Sequence, residues 1–358
     1  VTVGISDWFD WAYWGFAFLA ALCCVELYMA ECGDELQGAV SLNLITWFVA
    51  ALVLILVVKA AGGDLLHETS QGLSGYKVNV ELPDVAGMPM VRATGISRFA
   101  GAIGLIAFAF LWTEKRWQQA LALAVFAGTA WLLWVMQARG STVSFLGGLA
   151  VMLWLLGGRA RRLGVGLIAV VLFAIGLDYI SHSNLEYIWR FATRNDPHIR
   201  TMHGRTGIYR DVWDSFSRSP IIGFGPQADR RILFTNAQNG TLYALLCGGI
   251  IGGGAWILGF LVALSYIVRG ALDSEIIPAG HKVMFVQAAG LMAFFALRSI
   301  PENTAALFSV DLMLQLPAMV YLGVMVRAAR DQPGFEYARD LRHGAVQTSV
   351  TLQNSLYQ

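Results

Sequence analysis

Long apolar runs separated by short polar connections dominate the chain. A hydrocarbon core about 30 Å thick is crossed by roughly 20 apolar residues in a helix. About nine runs approach that length: 9–30, 41–60, 97–112, 119–136, 142–157, 163–180, 241–267, 283–298 and 306–326. They are continuous rather than alternating, so they read as helices and not as barrel strands. Two stretches break the pattern. YKVNVEL at 76–82 alternates apolar and polar residues, which predicts a short strand or hairpin arm. In 206–218, Ile208, Val212 and Phe216 recur at four-residue steps, with Tyr209 and Trp213 one residue on. That spacing predicts an amphipathic helix of about three turns, ended by Pro220.

The expected fold is an all-α polytopic membrane protein. Its parts are N-terminal spans in 1–60, a periplasmic loop in 61–96, central spans in 97–180, a large periplasmic loop in 181–240 holding the amphipathic helix, C-terminal spans in 241–330, and a cytoplasmic tail in 331–358. Orientation follows the basic short loops. TEKR at 113–116, GRARR at 158–162, Arg269 with Lys282, and Arg327 with Arg330 fall on one side, taken as cytoplasmic. The segment 181–240 carries eight Arg but is long, and long loops translocate largely regardless of charge. The N-terminus then lies outside, which leads us to expect helices upstream of Val1.

Composition agrees with the pattern. Hydrophobic residues make up 56% and charged residues 14%, against about 25% charged in soluble domains. Net charge is +1, so no bulk field points to nucleic acid. Cys23, Cys24, Cys32 and Cys247 have neither CxxC nor Cys/His spacing and read as small hydrophobes.

Candidate chemistry lies on the outer side. Arg139 in MQARGST stands at a helix mouth, against the positive-inside tendency. Arg205 and Arg210 lie on the amphipathic helix, Arg298 and Glu302 flank the outer end of the run 283–298, in RSIPEN, and Asp311 needs a partner inside the last run. Converging arginines suit a lipid-linked phosphate or diphosphate, because guanidinium binds phosphate bidentately and keeps its proton in apolar surroundings. GxxxxGK[ST], HExxH, GxSxG and DxD do not occur.

Arg92 with ATG, Arg139 with GST, Gly204–Arg205 followed by Trp213, SPIIGFG at 219–225 and AQNGTLYALLCGGIIG at 237–252 stand in this order on their predicted helices. In this the chain resembles the O-antigen ligase and O-antigen polymerase superfamily over roughly 90–325. The resemblance implies a GT-C-like glycosyltransferase of the bacterial inner membrane, inverting and without metal or other cofactor. It implies an undecaprenyl-diphosphate-linked glycan as donor at the periplasmic face, and a glycan or lipid A-core acceptor, with membrane lipids around the enzyme and room for other membrane subunits. By resemblance, Arg139 and Arg205 face the diphosphate, and Gln238 stands at the family's His place. Gln takes no proton at neutral pH, so it can orient a group but not deprotonate it. Asn239, Tyr243 and His203 would position the acceptor, with Arg210, Arg298 and Glu302 also on the substrate side. Two other classes fit the same composition: a transporter of a lipid-linked or anionic solute, and an inactive membrane subunit of this family. Discontinuous helices near the bilayer midplane would favour the transporter.

Overall fold

The structure, a computed structural model, describes residues 79–80, 91–111, 116–136, 139–157, 166, 205–272, 277, 281–306 and 310–330. The predicted spans at 9–30 and 41–60, all but residue 166 of that at 163–180, the segment 181–204 and the tail 331–358 lie outside the described residues.

The described chain is helical apart from one two-residue ladder. β1 (Asn79–Val80) pairs antiparallel with β2 (Val91–Arg92), Asn79 opposite Arg92. Asn79 and Val80 fall within the alternating stretch, as its period of two requires. The helices are α1 (Ala93–Phe110), α2 (Arg116–Met136), α3 (Arg139–Leu156), α4 (Arg205–Phe216), α5 (Ala228–Ile232), α6 (Gly240–Leu272), α7 (Lys282–Arg298) and α8 (Val310–Arg330). Six of these coincide in position with apolar runs of the sequence, α4 with the predicted amphipathic helix, and α5 had no periodic signal.

The helix α7 is the centre. Its residues Phe285 to Met292, with Phe294 and Phe295, are buried. A helix that is apolar and buried all round must be enclosed by other elements, and α1, α3 and α8 enclose it. Small residues let the backbones approach. A Cβ on Gly148 of α3 would sit 2.7 Å from the Gly290 carbonyl oxygen of α7. Gln287, fully buried on α7, donates to the Ile106 carbonyl of α1 at 3.0 Å. In an apolar core such a side chain needs that partner.

The outer surface is apolar. Trp117, Leu121, Leu123 and Trp131 of α2 are exposed, as are Ile257, Leu258, Leu261 and Leu264 of α6. Among the described residues, α6 alone is both long and apolar enough to cross a membrane, and only 17% of its apolar window is buried within the protein.

The helix α6 is broken. Gly249 has φ 62° and ψ −158°, outside helical space. The segment Ser219–Gly225 fills the break. Phe224 N donates to Leu246 O at 3.0 Å, and Gly225 N to Cys247 O at 2.8 Å. In return Ile250 N donates to Pro220 O at 2.7 Å, and Ile251 N to Ile221 O at 3.4 Å. Two carbonyls and two amides at the break are therefore paired with the loop. Only glycines fit this seam. A Cβ on Gly249 would lie 2.1 Å from Ile221 O, and one on Gly223 would lie 2.5 Å from Gly249 N.

A second, smaller core lies beneath this loop. It joins Val212 of α4, Ala228 of α5, Ala237, and Tyr243 and Leu246 of α6. The expected pairing of Trp213 with this face is corrected. Trp213 is exposed and its ring lies 5.3 Å from that of Phe216, because a period of 3.6 rather than 4 carries position 213 off the buried stripe.

Gly148→Val is expected to lower stability by about 1–3 kcal/mol, because the clash is with backbone. Gly128→Ala, with nothing within 4 Å of its Cβ, is expected to leave it unchanged or raise it by up to about 1 kcal/mol. Thermal unfolding of the detergent-solubilised protein distinguishes the two.

Candidate functional site

The turn 298–302, RSIPE, gathers the candidate residues. Its five residues between them reach α3, α4, the start of α6 and α8. Arg298 is 3% exposed at the end of α7. Its Nε lies 3.4 Å from Asp311 Oδ1 at the start of α8, and its Nη1 donates to Ser141 Oγ in α3. Ser299 O accepts the Gly240 amide at 2.8 Å, at the first residue of α6. Ile300 O accepts both Asn239 Nδ2 at 2.8 Å and Tyr209 OH at 3.3 Å. Pro301 packs on Gly140, where a Cβ would come within 3.0 Å of its ring. Glu302 pairs with Arg205 at 3.6 Å.

The buried carboxylate of Asp311, 1% exposed, is the electrostatic centre. Arg98 Nη1 reaches its Oδ2 at 2.6 Å while Arg298 approaches Oδ1. The Arg98 guanidinium also sits 5.1 Å from the Phe99 ring centroid, a cation–π distance. One carboxylate between two guanidiniums leaves a local excess of one positive charge. The partner that Asp311 requires is thus two arginines, from α1 and α7.

Arg205 opens α4, so its charge adds to the positive end of that helix. Its 3.6 Å pairing with Glu302 is longer than the 2.7–2.9 Å of a tight charge-assisted bond. The Arg298 side chain meets Asp311 and that of Glu302 meets Arg205, while Glu302 N donates to Arg298 O at 3.1 Å.

Gln238 has φ 51°, a left-handed conformation uncommon for a residue with a side chain. Two bonds hold it there. Its N–H donates to Asn236 Oδ1 at 2.9 Å, and its carbonyl accepts the Tyr209 OH at 3.2 Å. Such strain persists where surrounding contacts over-determine it. Tyr209 is half-buried, and its pKa is raised above the usual tyrosine value mainly by burial, with Arg205 and its hydrogen bond to Asn239 opposing and Glu302 adding to the rise. Its hydroxyl therefore stays a proton donor at neutral pH.

The remaining candidates separate. Asn239 caps α6: its Oδ1 accepts the Leu242 amide at 2.8 Å while its Nδ2 is bound to Ile300 O. Both ends of that side chain are engaged in fixing the turn. Tyr243 is buried in the small core, its hydroxyl accepting the Gln227 amide at 3.3 Å. Arg210 is exposed on α4. Arg139 is the first residue of α3, two positions from Ser141. His203 lies outside the described residues. Sequence reasoning missed Arg98, Ser141 and Tyr209 as members of this cluster. For Arg98 a signal existed, since it is an arginine inside an apolar run. Among the described residues, no group of three or more His, Cys, Asp or Glu side chains could hold a metal ion.

Among the described residues the fold is helical apart from one two-residue ladder, with one helix long and apolar enough to span a membrane and a polar turn at the end of a buried core helix. Compared with the models of known protein families and with curated proteins, the sequence matches none.

Asp311→Asn leaves two guanidiniums without their shared counter-charge. It is expected to cost about 3–5 kcal/mol of stability, the usual cost of breaking a buried pair from one side. Adding Arg298→Met to Asp311→Leu is expected to recover part of the loss, read as coupling in a double-mutant cycle.

Proposed function

We propose that this protein is a polytopic glycosyltransferase of the bacterial inner membrane, with about nine spans by the length of its apolar runs. It takes an undecaprenyl-diphosphate-linked glycan at the periplasmic face and polymerises or ligates surface polysaccharide. One observation carries the reading. Arg205, Asn239, Arg298 and Glu302, singled out from three separate segments, meet at the single turn 298–302 beside the start of α3, and the Tyr209 hydroxyl reaches both that turn and the Gln238 carbonyl. Support also comes from the sequence resemblance to O-antigen ligases and polymerases, and from the apolar outer face of α6.

The chemistry follows from the groups. The donor diphosphate docks against Arg139 and Arg205, with Arg205 exchanging its loose contact with Glu302 for phosphate oxygen. The acceptor hydroxyl oxygen attacks the anomeric carbon from the opposite face. The new C–O bond forms as the bond to the diphosphate oxygen breaks, and the electron pair leaves with the diphosphate. Arginine stabilises that growing charge. The acceptor proton departs late, to the released diphosphate or to water, so a strong base is dispensable and Gln238 serves by orienting. Its pinned backbone suits that role.

The break in α6 favours a second reading, transport of a lipid-linked or anionic solute. Transporters place such breaks near the midplane, with free backbone groups facing the substrate. Here Ile250–Leu272 alone, at about 1.5 Å per residue, covers an about 30 Å core. The break then falls at the membrane surface, and carbonyls on its rim are bonded to the 219–225 loop. The enzyme reading is the stronger.

Arg205→Ala is expected to lower glycan transfer by about 10²–10³, the usual loss for one preorganised charge contact, with thermal stability nearly unchanged. Arg205→Lys is expected to restore little, because ammonium lacks the bidentate fork. The assay is surface-glycan length and attachment in a deletion strain carrying each variant. Wild-type transfer by Arg205→Ala sinks the assignment. In the deletion strain itself, single repeat units indicate a polymerase, and accumulated lipid-linked chains indicate a ligase.

A further inference from the structure

The loop that seals the broken helix carries more apolar surface than the seal needs. Ile221 is 64% exposed, Ile222 71% and Phe224 41%. Across the seam, Ile250 and Ile251 are also exposed. These side chains continue the exposed apolar face of α6 through Ile257, Leu258 and Leu261. Around the loop the character changes. Arg218 precedes it and Arg230 follows on α5, both exposed, and exposed Trp213 stands on the neighbouring α4.

The backbone indicates the medium. In water, a broken helix could leave its free carbonyls and amides to solvent. Here four bonds between loop and helix pair them. Such pairing is what a segment meeting hydrocarbon requires. Apolar tips with arginines and a tryptophan beside them are the pattern of an element seated at the headgroup–acyl boundary, where Arg meets phosphate and Trp is favoured.

We propose that the 219–225 loop is a membrane-seated anchor, with Ile221, Ile222 and Phe224 buried among the acyl chains of the outer leaflet. The proposal rests on the membrane-spanning reading of α6. It depends on no property of the glycan site. The anchor fixes the level of α4, whose first residue is Arg205 and which leads directly into the loop. The candidate site is thereby held at the surface where a lipid-linked substrate presents its head group.

The experiment is photo-cross-linking in native membranes, with p-benzoyl-phenylalanine in place of Ile222 and, separately, in place of Leu261 on α6. Both positions are exposed, so neither replacement disturbs packing. Adducts are identified by mass spectrometry. The expected result is phospholipid adducts at 222, at a yield comparable to that at 261. Phospholipid adducts at 261 with protein adducts or none at 222 overturn the anchor and leave the span standing. No phospholipid adduct at either position overturns both. As a second measurement, Ile222→Cys should resist a membrane-impermeant maleimide added outside, compared with the unsubstituted protein. Ready labelling overturns the proposal even if the cross-linker fails to incorporate.

Discussion

The carboxylate of Asp311 constrains the rest of the molecule. It is buried in the helical core and shared by Arg98 of α1 and Arg298 of α7. Buried Arg298 could not rest in an apolar interior without it, and the carboxylate could not rest there without its two arginines. The pairing fixes the register of α1, α7 and α8 at one end of the bundle. Through Ser141 it also fixes the start of α3. The turn 298–302 inherits this rigidity, since it begins at Arg298. What looks like a surface loop is therefore held at its root by a buried charge cluster and can present Glu302 and the Ile300 carbonyl at set positions.

The seam at Gly249 is a second constraint, of backbone rather than charge. A helix interrupted in apolar surroundings must find new partners for its freed groups. SPIIGFG supplies them. Pro220 contributes a carbonyl and needs no donor satisfied. Gly223 and Gly249 remove the two side chains that would hold the strands of the seam apart. The motif is thus explained locally by backbone pairing, before any role in catalysis is invoked. The same seam hangs α4 on α6, which brings Arg205 to Glu302 and Tyr209 to Gln238.

Much of the fold was legible because its signal is local. Apolar run length marked α1, α2, α3, α6, α7 and α8, and four-residue spacing marked α4. What failed to show did so for a physical reason. The partners of Arg98 and Asp311 lie 213 residues apart, and those of Arg298 and Ser141 lie 157 apart. No periodicity carries such a pairing. Only the resemblance puts Asn239 and Tyr243 on the acceptor side. In the folded protein one caps α6 and the other fills the core beneath the loop. Trp213 departs from its expectation, since a four-residue step puts it inward while the helical period turns it out.

The sequence by itself determined the class: helices in preference to strands, an apolar exterior, and a chain whose few charges must be paired or placed at an edge. That follows from composition and run length, which fix how each backbone segment satisfies its own hydrogen bonds. Only the tertiary structure decided which charges meet, where α6 breaks and what seals it, and that the turn at 298–302 joins α3, α4, α6 and α8. Those outcomes depend on side chains and carbonyls brought together from distant segments, where the deciding quantity is the cost of leaving a buried polar group without a partner.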